Sequence, residues 1–179
     1  CAHVILSGGS MRGVRRKLSK LLGCRESETV PFICYLVSLH DIGKASPFFF
    51  QSANERMAEI PDEYRNRKYF PKVQGLKFRH ERESARVVGR IWEANGIYDE
   101  DTRRTLLAAL ELHHQGKMED DGFGGEPPYW SGAQDRLEEK MRLLFCPELP
   151  EISVAHHDAL GAYLTGLVIL CDWVASSGE

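Results

Sequence analysis

An all-α domain is what this sequence predicts, on three observations. Apolar residues recur at helical spacing nearly throughout the 179 residues, no stretch shows convincing period-two alternation, and glycine, proline and capping residues stand where helices should stop and start. No internal repeat interrupts the pattern. The first helix runs over Val14–Leu22 with Gly23 as its stop. The second, Pro31–Asp41, has a proline suited to a first turn and Gly43 just past its end. A third, Glu81–Ala94, is amphipathic and stops before Gly96. The fourth spans Thr102–His114, with Asp101 as N-cap and Gly116 beyond. The fifth, Gln134–Phe145, follows Ser131, and the last, Ala155–Ala175, follows Ser153; both serines are N-cap candidates.

Length and composition fit one domain over 1–179, with 42% hydrophobic and 27% charged residues and a core large enough to fold without staples. The formal charge of −3 excludes a protein that coats nucleic acid over its whole surface, so such contact has to come from a local basic strip. Two strips qualify: RGVRRKLSK near the start, and RNRKYFPKVQGLKFRHERESAR around His80. Each is weighed against a solvated helix face or loop. Five cysteines, Cys1, Cys24, Cys34, Cys146 and Cys171, form no CxxC pair and are odd in number, which argues against a disulfide framework or zinc ribbon and for reduced thiols in the cytoplasm. The apolar run Ala159–Cys171 is short of the roughly 20 residues that span a bilayer and reads as a core helix. No signal peptide is visible, and a first residue of Cys1 suggests a trimmed chain.

Two long stretches break the helical pattern, KASPFFFQSANERMAEIPDEYRNRKYFPKVQG and KMEDDGFGGEPPYWSG. Loops of that length in a compact domain are functional or disordered, and both begin beside chemistry-bearing residues, so they are expected to wall or cover an active site.

That chemistry starts at His40-Asp41, where an apolar helix ends in adjacent imidazole and carboxylate. The two differ by about 100° around a helix and address one centre most easily at a terminal turn, where Gly43 lets the backbone depart. Further ligand candidates are His80, the pair His113-His114 at another helix end, Asp172 and His3. Asp172 closes the run LTGLVILCDWVASS, and a lone charge there would be costly to bury without a cation. Lys44 sits on the turn after the doublet, within reach of a phosphate oxygen. His156-His157 is set aside: the pair lies in the first turn of the last helix, about 20 Å along its axis from Asp172. For each histidine alone a capping or polar-pair role is the alternative. Together, up to five imidazoles and two carboxylates exceed what one structural zinc uses and lack its thiolates. The set fits a two-metal catalytic site, with manganese, iron(II), cobalt, nickel or zinc favoured over magnesium.

In this order, LHDIGKASPFFFQ, FRHERESA, LHHQG and CDWVASSGE resemble the HD phosphohydrolase superfamily and, more closely, the HD nuclease domain of the CRISPR type I helicase-nuclease, the Cas-three family. The resemblance runs from at least Val37 to the C-terminus. It implies an HD-domain helical bundle that holds two divalent metals and cuts single-stranded DNA by a two-metal mechanism with a bridging water. His3, His40, Asp41 and Asp172 would hold one metal. Asp41 would bridge to a second, held by His80, His113 and His114. Lys44 would contact substrate and assist catalysis with Asp41, Ser176 would support the site, and Arg79, with Lys77 and Arg82, would guide the strand past aromatics of the Phe48–Phe50 run. The implied partners are single-stranded DNA, a helicase subunit or domain, and an RNA-guided surveillance complex; no membrane is implied. No GxxxxGK(S/T) phosphate loop occurs in the chain, so a helicase has to lie elsewhere. Two other readings compete: an HD phosphohydrolase acting on nucleotides or cyclic dinucleotides, and a non-catalytic, metal-stabilised docking module.

Overall fold

Helices account for the ordered structure, as the periodicity predicts. The computed structural model describes residues 1–52, 54–66, 68–70, 78–114 and 128–177, and no strand occurs among them. In chain order the helices are α1 (Ala2–Ser7), α2 (Arg12–Leu22), α3 (Glu26–Ser38), α4 (Pro47–Gln51), α5 (Asn54–Ala58), α6 (His80–Ala94), α7 (Glu100–Glu111), α8 (Pro128–Phe145) and α9 (His157–Ser176). Short 3-10 turns at Gly9–Met11, Ile42–Lys44, Asp62–Tyr64 and Val154–His156 join them.

Helix α3 is central because it is apolar on every side: the six residues from Phe32 to Val37 are all buried, as a helix surrounded by others requires. Helices α1, α2 and α8 pack against it, while α7 packs against both α6 and α9. Leu6, Leu18 and Leu22 from the first two helices join Val87, Trp92, Leu106, Leu110, Leu160 and Leu164 in one core. Each such side chain contributes about 1.5–3 kcal/mol when fully buried. A polar seam crosses this core. The Trp92 indole donates to the Tyr35 hydroxyl at 3.1 Å, which donates to Glu138 Oε1 at 2.5 Å, tying α6, α3 and α8 together with no buried donor wasted.

Several boundaries depart from the sequence expectation, each for a local reason. Helix α3 starts at Glu26, where the Arg25 backbone N–H donates to the Glu28 carboxylate at 2.8 Å, so Pro31 lies inside the helix and not in its first turn. The same helix ends at Ser38, not Asp41, because i→i+3 bonds from Leu39 to Leu36 and from His40 to Val37 tighten the chain. The N-cap of α7 is Asp99, which accepts from the Thr102 N–H at 3.0 Å; Asp101 is in the first turn. Ser131 falls within α8, which begins at Pro128. Ser153 precedes a 3-10 turn and makes no side-chain capping bond. Gly23 (φ 68) and Gly96 (φ 63) are left-handed stops as expected, whereas Gly43 is not left-handed and has a different role at the site. The first long stretch contains α4, where Ser46 accepts from Phe48 N–H and Pro47 occupies the first turn, and α5. Gly116 and most of the second stretch lie outside the described residues.

By length and composition the segment Val154–Ser176 is apolar enough to cross a membrane, with mean hydropathy 1.6, because the helix runs on past Cys171. Its inner face, Leu160, Leu164, Leu167, Val168 and Cys171, is nevertheless part of the common core.

Candidate metal centre

Three chain turns converge at one end of the bundle. His40 and Asp41 stand on the turn after α3, His113 and His114 on the turn after α7, and His80 is the first residue of α6. A helix end frees consecutive side chains from the 100° offset that would splay them, so each doublet can face one place.

What locks the first turn in position is Gly43. Its N–H donates to Ser84 Oγ at 2.9 Å, and that hydroxyl donates to the His80 carbonyl at 2.9 Å. A Cβ on residue 43 would lie 2.3 Å from His80 O and 2.5 Å from Ser84 N, so only glycine lets the turn sit on the first turn of α6. From the other side the buried Gln134 donates to the Ala45 carbonyl at 2.9 Å.

The imidazoles are oriented by the backbone. His40 Nδ1 is 2.7 Å from the Val37 carbonyl and His113 Nδ1 is 2.5 Å from the Leu110 carbonyl. A carbonyl only accepts, so each Nδ1 carries the proton and each Nε2 presents a lone pair. Both Nε2 atoms are buried without a hydrogen-bond partner, and so is Asp41 Oδ1. These three residues offer ligand atoms within 4.8 Å of one another, as do His80, His113 and His114, and His113 belongs to both groups. Asp41 Oδ1 lies 3.3 Å from His80 Nε2 and links the two. Asp172 from α9 brings Oδ1 to 3.6 Å from His40 Nε2. His80 Nε2 and His114 Nε2 are 3.1 Å apart, a spacing that suits two lone pairs aimed at one cation. Buried acceptors with no donor cost about 1–3 kcal/mol each, and divalent cations at the cluster would satisfy them. Imidazole-rich donors with two carboxylates fit a transition metal.

Of the remaining sequence candidates, Lys44 places Nζ 2.7 Å from Asp41 Oδ2, on the rim of the cluster. His3 is exposed on α1 and lines a 220 Å³ cavity that also touches His40, but it joins neither ligand group. Ser176 is exposed one turn beyond Asp172 on α9. Arg79 is partly neutralised, its Nε 2.7 Å from the buried Glu81 carboxylate, and Arg82 Nε lies 4.0 Å from Glu111; Lys77 lies outside the described residues. Phe48 is buried and cannot stack on a base. Phe49 packs edge-on to the His80 ring at 6.2 Å and braces it. His156 and His157 are held elsewhere, by the Leu21 carbonyl at 3.1 Å and Thr102 Oγ1 at 3.4 Å, as their exclusion requires. Sequence reasoning missed Glu81, 3.7 Å from His80 Nδ1, and Ser84; the signal was their spacing, one and four residues after His80 on one helix.

Charge at the centre has a consequence for stability. Burial holds the His113 imidazole below its usual range, against the hydrogen bond to Leu110 that favours the proton, and the neighbouring imidazoles add to the depression. A base whose folded pKa is depressed contributes stability that is complete above the unfolded value, about 6.5, and lost as pH falls. Burial opposes ionisation of Asp41, but the imidazoles beside it and the Lys44 ammonium, which donates to Oδ2, outweigh it and hold the carboxyl well below the carboxylate range. Its contribution is present above about pH 3.9 and lost below. Both act in one direction. In chelator, the melting temperature is therefore expected to hold from pH 8 to 7, fall below about pH 6.5, and fall again near pH 4. His113→Gln removes the first step; an unchanged acid profile in that variant would contradict this assignment.

Three comparisons bear on the arrangement. The sequence profile of the family described as "Cas3, HD domain" matches residues 1–179. A search of curated proteins finds no match. Among solved structures, T. fusca Cas3 and its AMPPNP form each superpose with TM-score 0.69 at 19% identity, covering 92% of this chain and 18% of theirs. The T. fusca Cas3-ATP structure gives the same score and identity over 98% of this chain and 20% of its own. At that identity the likeness speaks to the fold. This chain spans about a fifth of the length of those solved chains.

Proposed function

Because the chain belongs to the Cas3 HD-domain family over its whole length, we propose that its histidine-aspartate cluster is the centre of a metal-dependent nuclease that cuts single-stranded DNA in CRISPR interference. The observation that carries this is the convergence of unpartnered, buried acceptors: His40 Nε2, His113 Nε2 and Asp41 Oδ1, joined by His80, His114 and Asp172.

His40, Asp41 and Asp172 would hold one divalent cation, with His3 of α1 as the further ligand that the resemblance implies. His80, His113 and His114 would hold a second, with Asp41 shared. Manganese, iron(II), cobalt or nickel suits these donors best, with zinc or magnesium as substitutes. Paired cations lower the pKa of water and neutralise charge on a phosphodiester.

The protein's own groups do the rest. The carbonyls of Val37 and Leu110 fix the tautomers, so no proton has to leave Nε2 when a cation arrives. Lys44, held against Asp41 in the structure, turns to a phosphate oxygen as charge builds on the transition state. Ser176 and Arg79 would serve as strand contacts. Residues 1–179 act as the HD nuclease domain of a larger cytoplasmic assembly, fed by a helicase domain or subunit and directed by an RNA-guided surveillance complex.

The test is a side-by-side assay of circular single-stranded DNA and of mononucleotides and cyclic dinucleotides, with manganese, cobalt or nickel and with chelator. Metal-dependent cutting of the circle supports the reading. Turnover of the small substrates alone would assign the other branch of the superfamily, and tight metal retention without hydrolysis would assign a docking role.

A further inference from the structure

Helix α2 carries a charge pattern that the metal centre does not use. Between Arg12 and Leu22 there is no acidic residue, and Arg12, Arg16, Lys17 and Lys20 are all exposed. Residues 12, 16 and 20 follow one another at i+4, so their cations climb one face over about 12 Å, and the four span about 140° of arc. Leu18, Leu21 and Leu22 hold the opposite side in the core. Of the four cations only Arg16 has a carboxylate nearby, Glu26 at 3.7 Å; Arg12, Lys17 and Lys20 have no ion-pair partner among the described residues. In a chain of net charge −3, such a ridge is a local excess that repels itself unless something anionic covers it.

The ridge is also connected to the centre. Arg15 braces α2 from within, donating to the Leu6 carbonyl at 2.8 Å and pairing with Glu26 at 3.3 Å. It lines an open groove of 600 Å³ that includes His3, Cys34 and Phe145. Those same three residues line the smaller cavity that reaches His40. The groove at the foot of the basic helix and the cavity at His40 are thus neighbours that share part of their lining, with Val30, Pro31, Cys34 and Phe145 as an apolar portion of the groove and Glu26 at its basic end.

We propose that the exposed ridge of α2 is a second nucleic-acid contact, gripping the phosphate backbone of a single strand whose adjacent segment lies at the His40–Asp41 centre. This rests on the nuclease reading for the identity of the ligand. Charge complementarity names the occupant: cations about 6 Å apart along the axis are on the scale of successive phosphates in an extended strand, and the apolar portion of the groove suits bases. Because the contact is to phosphate, it is independent of sequence and sensitive to salt.

The test measures binding of a labelled single strand of about 20 nucleotides to the metal-free chain across a salt series. The proteins compared are wild type, Arg12→Gln/Arg16→Gln/Lys17→Gln/Lys20→Gln, and Arg12→Lys/Arg16→Lys, each shown to melt as wild type does. The glutamine variant is expected to bind about tenfold more weakly or worse, with a salt slope shallower by up to about 3 for four lost phosphate contacts. The lysine variant keeps the wild-type slope. Equal binding and slope for wild type and the glutamine variant would overturn the proposal, as would a ridge that retains anionic vesicles while the strand fails to bind at all. Cutting of circular DNA by the manganese-loaded chain is scored separately. A chain that binds through α2 but never cuts refutes the nuclease reading, and one that cuts with α2 neutralised and binding unchanged refutes only the ridge.

Discussion

Asp41→Ala is expected to lower metal-dependent cutting of single-stranded DNA by about a thousandfold or more, which is the scale of losing charge stabilisation at a transition state. The carboxylate lies between the two ligand groups, close to His80 Nε2 at 3.3 Å, His40 Nε2 at 3.4 Å and Lys44 Nζ at 2.7 Å. The fold should survive. Asp41 is a third exposed, so its pair with Lys44 is screened by solvent and its contribution to stability is small. In chelator the variant should unfold within about 1 kcal/mol of wild type by urea titration. A variant that still cuts at the wild-type rate would remove Asp41 from the chemistry.

Gly43→Ala should do comparable damage by another route. The added methyl would meet His80 O and Ser84 N, which are backbone atoms with no rotamer to escape into. Either the turn lifts off α6 or the first turn of α6 unwinds, and both move Asp41 away from His80. Overpacking of this kind costs about 1–3 kcal/mol or more, which for a chain of this size is a fall of roughly 5–10 °C in melting temperature. Cutting should fall with it, even at temperatures where the variant is folded. Gly166→Ala is the matched control, since a Cβ there meets nothing within 4 Å and alanine suits a helix better; it should melt at or slightly above the wild-type temperature. Equal melting of the two variants would show that the close approach at Gly43 is not a constraint.

The way these residues became legible explains what did not. His40-Asp41 and His113-His114 could be read because apolar helices run into them, and a polar doublet at such an end needs a partner. Asp172 could be read because it sits in an apolar helix with no basic neighbour. The role of Gly43 could not be read correctly: a glycine after a helix signals a left-handed stop, and only the packing of α6 shows that its missing Cβ matters more than its φ. The tautomer-fixing carbonyls of Val37 and Leu110 leave no trace in sequence, since every residue has a carbonyl. Helix α4 was hidden within what looked like a loop, although Ser46-Pro47 is a cap followed by a first-turn proline. Arg79 looked like a free cation because its partner Glu81 lies on the following helix turn. His3, proposed from the resemblance, stands apart from both ligand groups, since a six-residue helix ending at the glycines after Ser7 does not carry it to them.

The most direct measurement is a titration of the metal-free chain with manganese, followed by electron paramagnetic resonance, in wild type and in His113→Ala. His113 stands among the proposed ligands of the second cation and within reach of the first group, so the account predicts about two ions per wild-type chain, coupled through Asp41, and loss of tight binding at the His80–His114 position in the variant. Wild-type chain that takes up no manganese, or a variant that binds as many ions as tightly, would contradict a metal centre at this cluster.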